Sequence, residues 1–224
     1  MTGPVLAAHS WPSNADLIAD VARLGYLKPT DRILDPTYGR GVWWKRWMPA
    51  ELVTNMRAEG GWDFREIPFP DGHFDAVGYD PPYVCIGGRK TTGMPEFHNR
   101  FGLDETPTSP RGLQELINAG LAECHRVVRP SGIVLVKCQD YITSGQLWPG
   151  THHTLVAALD LGFVLVDRLE RIQRNPRPQP GNRWKGGVPS TQQHARRNLS
   201  TLFVLRRVQP LPMSPALPFE EGAA

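Results

Sequence analysis

A chain of 224 residues, 40% hydrophobic and 21% charged, is long enough for one α/β domain with a substantial buried core and is neither disordered nor fibrous in composition. A formal charge of +3 does not mark a nucleic-acid binder, so any such role must come from local charge. Cys85, Cys124 and Cys138 lack C-x-x-C spacing and a histidine cluster, which excludes a zinc or disulfide framework and reads as thiols in a reducing compartment.

The chain carries no apolar run of membrane-spanning length and no basic-then-apolar start, so a soluble, cytoplasmic protein is expected. With 22 prolines and 22 glycines, many turns and at least one long irregular loop are expected. Ser13 or Asn14 can cap a helix over residues 15–25, with Leu17, Ile18, Val21 and Leu24 on one face. Residues 32–35 form a short buried strand, closed by Pro36 and followed by Gly39-Arg40-Gly41. A second helix is expected to carry Val42, Trp43, Trp44 and Trp47, followed by a strand at 52–55.

Residues 74–79 read as a central strand running straight into Asp80-Pro81-Pro82-Tyr83. Residues 84–111 have no periodicity and form a long loop. A helix over 111–128 presents Leu113, Leu116, Ile117, Gly120, Leu121 and Cys124 inward. Arg129-Pro130-Ser131-Gly132 turns the chain into a strand at 133–137. A helix at 151–161, a strand at 163–166, an irregular stretch at 171–197 and a last strand at 202–205 follow. Helices and strands alternate without a domain-scale linker, which predicts a single α/β domain with a mostly parallel sheet over 1–209 and a Pro-rich tail at 210–224.

The stretch from Ile33 to Gly41 is a strand, an acidic residue at its carboxyl end and a Gly-rich turn. Open α/β sheets bind ligands at such strand ends, and glycine lets the backbone come close to a ligand. Asp35 stands where a carboxylate can meet a ligand ammonium group, or can simply cap the turn. Asp63 with Phe64 can bond and cover a purine edge, or can be surface turn and core.

Asp80-Pro81-Pro82-Tyr83 is the most informative tetrapeptide. Its prolines remove two N–H donors and leave carbonyls that only accept. An aryl amine such as adenine N6 is a poor nucleophile because its lone pair is delocalised into the ring. If Asp80 and the Pro81 carbonyl accept its two protons, the nitrogen is favoured as a pyramid with its lone pair aimed at an electrophile. Tyr83 then stacks on the base and fixes that geometry. Alone, the tetrapeptide is also a proline-rich turn ending a strand.

Together, Asp35-Pro36-Thr37-Tyr38-Gly39-Arg40-Gly41 and Asp80-Pro81-Pro82-Tyr83 resemble the amino-methyltransferase branch of the class I S-adenosylmethionine-dependent methyltransferases. Their order is similar to the gamma arrangement of DNA adenine methyltransferases, and the likeness covers about residues 12–207. The resemblance implies a Rossmann-like, mostly parallel seven-stranded sheet with helices on both faces, and S-adenosylmethionine as cofactor. It implies that Asp35, Pro36, Thr37, Gly39 and Gly41 hold the methionine end, that Asp63 bonds the cofactor adenine and that Phe64 lines its ring. Asn55 stands where the family usually has an acid that grips the ribose. It further implies that Asp80, Pro81, Pro82 and Tyr83 are catalytic, with N6 of adenine in DNA as the target.

Between Arg171 and Arg197 stand seven basic residues and no acidic one, among them Arg174, Arg177, Arg183, Lys185, Arg196 and Arg197, with Trp184 as a stacking face. That composition suits a loop that neutralises phosphates, or a solvated surface loop. The loop at 84–111 follows Tyr83 and carries Arg89, Lys90, His98 and Arg100, as a lid beside a flipped base would. The other readings are an RNA methyltransferase acting on N6 of adenine or N2 of guanine, and a non-catalytic binding subunit of the same fold. A nicotinamide dehydrogenase is rejected, because the proline motif has no role in hydride transfer. A protein partner or homodimer is left open, and the size resembles small orphan methylases of bacteria or phages.

Overall fold

The computed structural model describes residues 6–9, 11–55, 61–82, 85, 107, 109–172, 194–195 and 197–208. Helix α1 (Asn14–Arg23) starts where the Ser13 hydroxyl accepts the Asp16 N–H at 3.2 Å, which satisfies one of the donors a helix start leaves open. Leu17, Ile18 and Val21 are its buried face, whereas Leu24 caps the helix and is 43% exposed.

Strand β1 (Arg32–Asp35) leads into the Gly-rich turn. The expected second helix shrinks to a single 3-10 turn, Trp43–Lys45. Gly39 and Gly41 hold φ values of 56° and 61°, which keep the chain out of helical geometry on one side. Pro49 disfavours it on the other, at the residue before the proline. The segment between is too short to sustain a helix nucleus.

The remaining elements are β2 (Glu51–Thr54), β3 (Phe74–Tyr79), α2 (Pro110–Val127), β4 (Val128–Cys138), β5 (Tyr141–Thr143), β6 (Gln146–Trp148), α3 (Gly150–Asp160), β7 (Phe163–Ile172) and β8 (Leu199–Arg207). Among the described residues the main sheet has six strands in the order β2-β1-β3-β4-β8-β7, where seven are expected. Strands β2, β1, β3 and β4 are mutually parallel, while β8 is antiparallel to both β4 and β7. Between β2 and β3 the described residues, 55 and 61–73, carry turns and bends and no strand.

Strand β4 absorbs the expected turn. Phe74 pairs with Val128 and Ala76 with Ile133, so residues 129–132 loop out, with Ser131 at φ 65°. Asp75 holds the loop by accepting from Arg129 Nε at 2.6 Å and from the Arg32 N–H at 2.8 Å. Residues 171 and 172, expected to be irregular, finish β7, where Ile172 pairs with Leu199.

Two apolar layers sandwich the sheet. Helices α2 and α3 cover one face through Leu113, Ile117, Leu121 and Ala158, against Val77, Tyr79, Val134 and Val136. Helix α1 and the two tryptophans cover the other, against Ile33, Ala76, Ile133 and Leu135. Each fully buried Leu, Ile, Val or Phe contributes about 1.5–3 kcal/mol. The three cysteines are free and buried. No helix of the described residues is long and apolar enough to cross a membrane.

A two-stranded hairpin is an addition to the expected elements. Strands β5 and β6 pair around Ser144-Gly145, both with positive φ (49° and 76°), as a two-residue hairpin turn requires. The Ser-Gly dipeptide is the signal for it in the sequence. His194 Nε2 lies 2.9 Å from the Gly145 carbonyl, so the far end of the basic stretch meets the hairpin tip.

Candidate active site

The chain leaves β1 for β2 on one side and returns in β3 on the other. This creates a crevice between the carboxyl ends of β1 and β3, the place where open α/β sheets bind ligands. Asp35 ends β1 and Asp80 follows β3, so both acidic residues picked out by sequence stand at this point.

Asp35 is 4% exposed, with a closed set of donors around it. Oδ1 accepts the Thr37 N–H at 3.0 Å, and Oδ2 accepts Trp44 Nε1 at 2.7 Å. The Asp80 N–H donates to Thr37 Oγ1 at 2.8 Å, and Asp80 Oδ2 accepts Trp43 Nε1 at 3.1 Å. Two consecutive tryptophans therefore clamp the two carboxylates, and one threonine joins the two motifs. Burial raises the Asp35 carboxyl to about 7; the Trp44 and Thr37 bonds pull it down, and the nearby Asp80 charge adds a smaller upward push. A carboxylate in that state gains from a cationic ligand, and an ammonium group is a fitting one.

The glycines fit a close backbone approach. Gly41 has a positive φ, and a Cβ there would overlap the Tyr38 phenol. Pro81 and Pro82 are buried behind Asp80. Tyr83 lies outside the described residues, as do Arg174, Arg177, Arg183, Lys185 and Arg196, together with nearly all of the 84–111 loop.

Asn55 acts as a brace. Its Nδ2 donates to the Pro36 carbonyl (3.1 Å) and the Trp62 carbonyl (2.7 Å), its Oδ1 accepts the Trp62 N–H (3.1 Å), and its own N–H donates to the Asp35 carbonyl (3.0 Å). It ties the turns after β1 and β2 together, with its amide already engaged. Asp63 lies at the same rim, in a bidentate pair with Arg65 at 2.6 Å. Phe64 is 1% exposed and packs on Tyr79 at 5.8 Å in the core, so it presents no face to a ligand; the partly buried aromatic at this rim is Trp62.

The ends of the basic segment are fixed at the same edge. Strand β7 runs parallel to β4 and ends at Ile172, opposite Leu199, where β8 begins. Residues 173–198 therefore leave and re-enter the sheet at the carboxyl edge that holds Asp35 and Asp80. Arg171 itself belongs to β7 and donates to the Pro12 carbonyl at 3.0 Å. The Arg197 carbonyl accepts Gln139 Nε2 at 3.0 Å.

Sequence reasoning missed Trp43 and Trp44 as carboxylate donors, and it missed Lys137. That lysine is 3% exposed at the end of β4, and its Nζ donates to Asn14 Oδ1 at 3.1 Å. A lysine ending an apolar strand run is the signal for it, since lysine is almost never fully buried unless paired.

No protein-family model and no curated protein sequence matches the chain. Among solved structures, it is similar to the [4+2]-cyclase SpnF at 15% identity, over 86% of this chain and 80% of that one, with a TM-score of 0.50. A putative methyltransferase of Bacillus halodurans aligns at 14% identity over 86% and 99% of the two chains, with a TM-score of 0.49. A putative DNA modification methylase of Thermus thermophilus aligns at 16% identity over 69% and 56%, with a TM-score of 0.43. The chain spans about half the length of that methylase. The likeness to SpnF, with the strand order above, shows the fold of this chain to be Rossmann-like α/β with a mostly parallel sheet.

Proposed function

We propose that the chain is an S-adenosylmethionine-dependent methyltransferase acting on the exocyclic amino group of a base, N6 of adenine in DNA. The observation that carries this reading is the hydrogen bond from the Asp80 N–H to Thr37 Oγ1, which joins the Asp35 turn to the proline motif at the switch point of the sheet. A buried carboxylate raised to about 7 beside positive-φ glycines fits a ligand with an ammonium group. Asp35 and Thr37, with the glycine turn, would hold the methionine end of the cofactor. When bound, the cofactor supplies an electrophilic methyl group.

The chain's own contribution is to prepare the nucleophile. Asp80 and the Pro81 carbonyl accept the two amine protons, which turns the nitrogen lone pair out of conjugation. Trp43 fixes the carboxylate through Oδ2. Asp80 stands ready to receive the proton that the nitrogen releases once it is methylated. Nucleic acid is the polymer that suits the basic residues between 173 and 198, whose anchors lie at this edge.

The test is transfer of labelled methyl from S-adenosylmethionine to duplex DNA and, separately, to RNA, with nucleoside mass analysis. The expected product is N6-methyl-2′-deoxyadenosine from DNA, absent with Asp80→Ala, while cofactor binding persists. Label in RNA alone would change the substrate, and full turnover by Asp80→Ala would overturn the role of that residue.

A further inference from the structure

The β5–β6 hairpin stands on the edge of the sheet that carries Asp80. Strand β4 ends at Cys138 and β5 begins at Tyr141, while the parallel strand β3 ends at Tyr79, just before Asp80. Packing settles which face of the ribbon is inner. Tyr141 is 3% exposed, and Trp148 across from it packs against the same core layer.

Side chains alternate along a strand, so the next cross-strand pair, Ile142 and Leu147, turns to the other face. Directly opposed residues have Cβ atoms about 4.5–5.5 Å apart, so the two form one apolar patch. Neither belongs to the two core layers, and Leu147 is 44% exposed. A ribbon packed on one face ordinarily puts polar residues on the solvated one. Here the outward pair is apolar, just behind the Ser144-Gly145 tip.

The surroundings indicate what covers this patch. The sequence has no acidic residue from 141 to 159, and none from 171 to 219. The two stretches meet at the hairpin tip, where His194 Nε2 lies 2.9 Å from the Gly145 carbonyl. They meet again at its foot, where the Arg197 carbonyl accepts Gln139 Nε2 at 3.0 Å. Asp140, beside Gln139, accepts the Thr151 N–H at 2.9 Å and so turns to the start of α3. An apolar ribbon framed by basic, acid-free chain fits a polyanion with flat apolar rings stacked inside it, which is a nucleic-acid duplex. A two-stranded ribbon enters a duplex groove, and leucine and isoleucine are among the side chains that insert between base steps.

We propose that the β5–β6 hairpin is a duplex wedge: Leu147, backed by Ile142, enters the base stack and fills the gap left when the target base moves to Asp80. This rests on the reading of DNA as the substrate, and it adds the element that opens the duplex. Taking a base out of the stack is costly, and an apolar side chain left in its place offsets part of that cost.

The experiment compares wild type, Leu147→Ala and Leu147→Met on one DNA sequence, as duplex and as single strand. Leu147 is exposed, so its replacement leaves the fold in place. A wedge acts only where a stack must be opened. Leu147→Ala should lower kcat/KM on the duplex at least about tenfold, or about 1.4 kcal/mol, and change it on the single strand by less than about threefold. Leu147→Met keeps the apolar bulk and should stay within about threefold of wild type on both. Equal losses on the two substrates, or no loss on either, overturn the proposal.

Binding is read separately by fluorescence anisotropy without cofactor, so the surface is tested apart from methyl transfer. Should wild type transfer no methyl at all, duplex binding decides. A rise of at least about fivefold in the duplex Kd of Leu147→Ala, with the single-strand Kd unchanged, keeps the surface and removes the methylation reading. An unchanged duplex Kd in that case overturns the surface. Sedimentation tests the other occupant: a wild-type dimer that Leu147→Ala dissociates assigns this face to a second copy of the chain and overturns the wedge.

Discussion

The Asp80 N–H donates to Thr37 Oγ1 at 2.8 Å, across the gap between two strand ends that lie 43 residues apart in the chain. Thr37 also donates its own N–H to Asp35. One side chain thereby sets the spacing between the proposed cofactor turn and the proposed methyl-acceptor site. Trp43 and Trp44, adjacent in sequence, repeat the link from the other side, one indole on each carboxylate. The two motifs form one hydrogen-bonded unit.

Thr37→Val keeps the shape and removes the acceptor. Thr37 is buried, so the Asp80 N–H loses its partner, at a cost of about 1–3 kcal/mol. The expected result is a lower urea midpoint with an unchanged slope, together with a drop in kcat/KM larger than any change in cofactor Kd. An equal loss in Kd and kcat/KM would mean that Thr37 serves the cofactor turn alone.

Asp35 makes cofactor binding depend on pH. In the unliganded protein its carboxyl sits at about 7, raised chiefly by burial, against about 3.9 in an unfolded chain. The folded state therefore holds a proton that the unfolded chain has lost. This contribution to stability is fully present below about pH 4 and is lost as pH rises through about 7. A ligand ammonium needs the ionised form, so cofactor affinity should fall by up to about tenfold per pH unit below pH 7. Calorimetric titration between pH 5.5 and 8.5 checks the affinity, and melting of the unliganded protein checks the stability. Asp35→Asn should flatten the melting trend and bind cofactor at least about tenfold more weakly at pH 8; a flat wild-type affinity profile would remove the ammonium contact.

Asn55→Asp would install the acid that the resembled family usually has there, and it should damage the protein. The replacement loses the donors to the Pro36 and Trp62 carbonyls and sets a carboxylate against both. A loss of about 2–4 kcal/mol is expected by chemical denaturation at pH 7, with a smaller loss at pH 5, where protonation returns one donor. Unchanged stability with tighter cofactor binding would return position 55 to the ribose.

The parts of this fold legible in the sequence are those with a periodic core face or a distinctive motif. Helix α2 is readable from Leu113, Ile117 and Leu121, and the central strands from their unbroken apolar runs. Asp35 and Asp80 are readable because each ends such a run beside glycine or proline. The tryptophan turn misleads because Trp43, Trp44 and Trp47 mimic helical spacing, while Gly41 and Pro49 decide the backbone. Phe64 misleads because an aromatic after an acid suits a ligand rim as well as a core, and only the packing against Tyr79 and Gly120 separates them. Lys137 stays hidden because a one-dimensional pattern cannot show that a lysine ending an apolar strand meets Asn14 of α1, 123 residues away in the chain.

The basic segment gives the last prediction. Arg174, Arg177 and Arg183 lie between two anchors, Ile172 and Leu199, that pair at the carboxyl edge of the sheet. If these side chains neutralise phosphates, each releases counterions, and the slope of log K against log salt falls by about 0.9 for every contact removed. The triple alanine variant should therefore lose about 2–3 in that slope on duplex DNA, while cofactor Kd and melting temperature stay as in wild type. Fluorescence anisotropy from 50 to 300 mM salt reads the slope directly. A weaker affinity with an unchanged slope would mean that the arginines act through the fold of the segment and not through phosphate. An unchanged affinity and slope would make the segment a solvated surface and move DNA binding to another part of the carboxyl edge, with the β5–β6 hairpin that meets His194 as the next place to substitute.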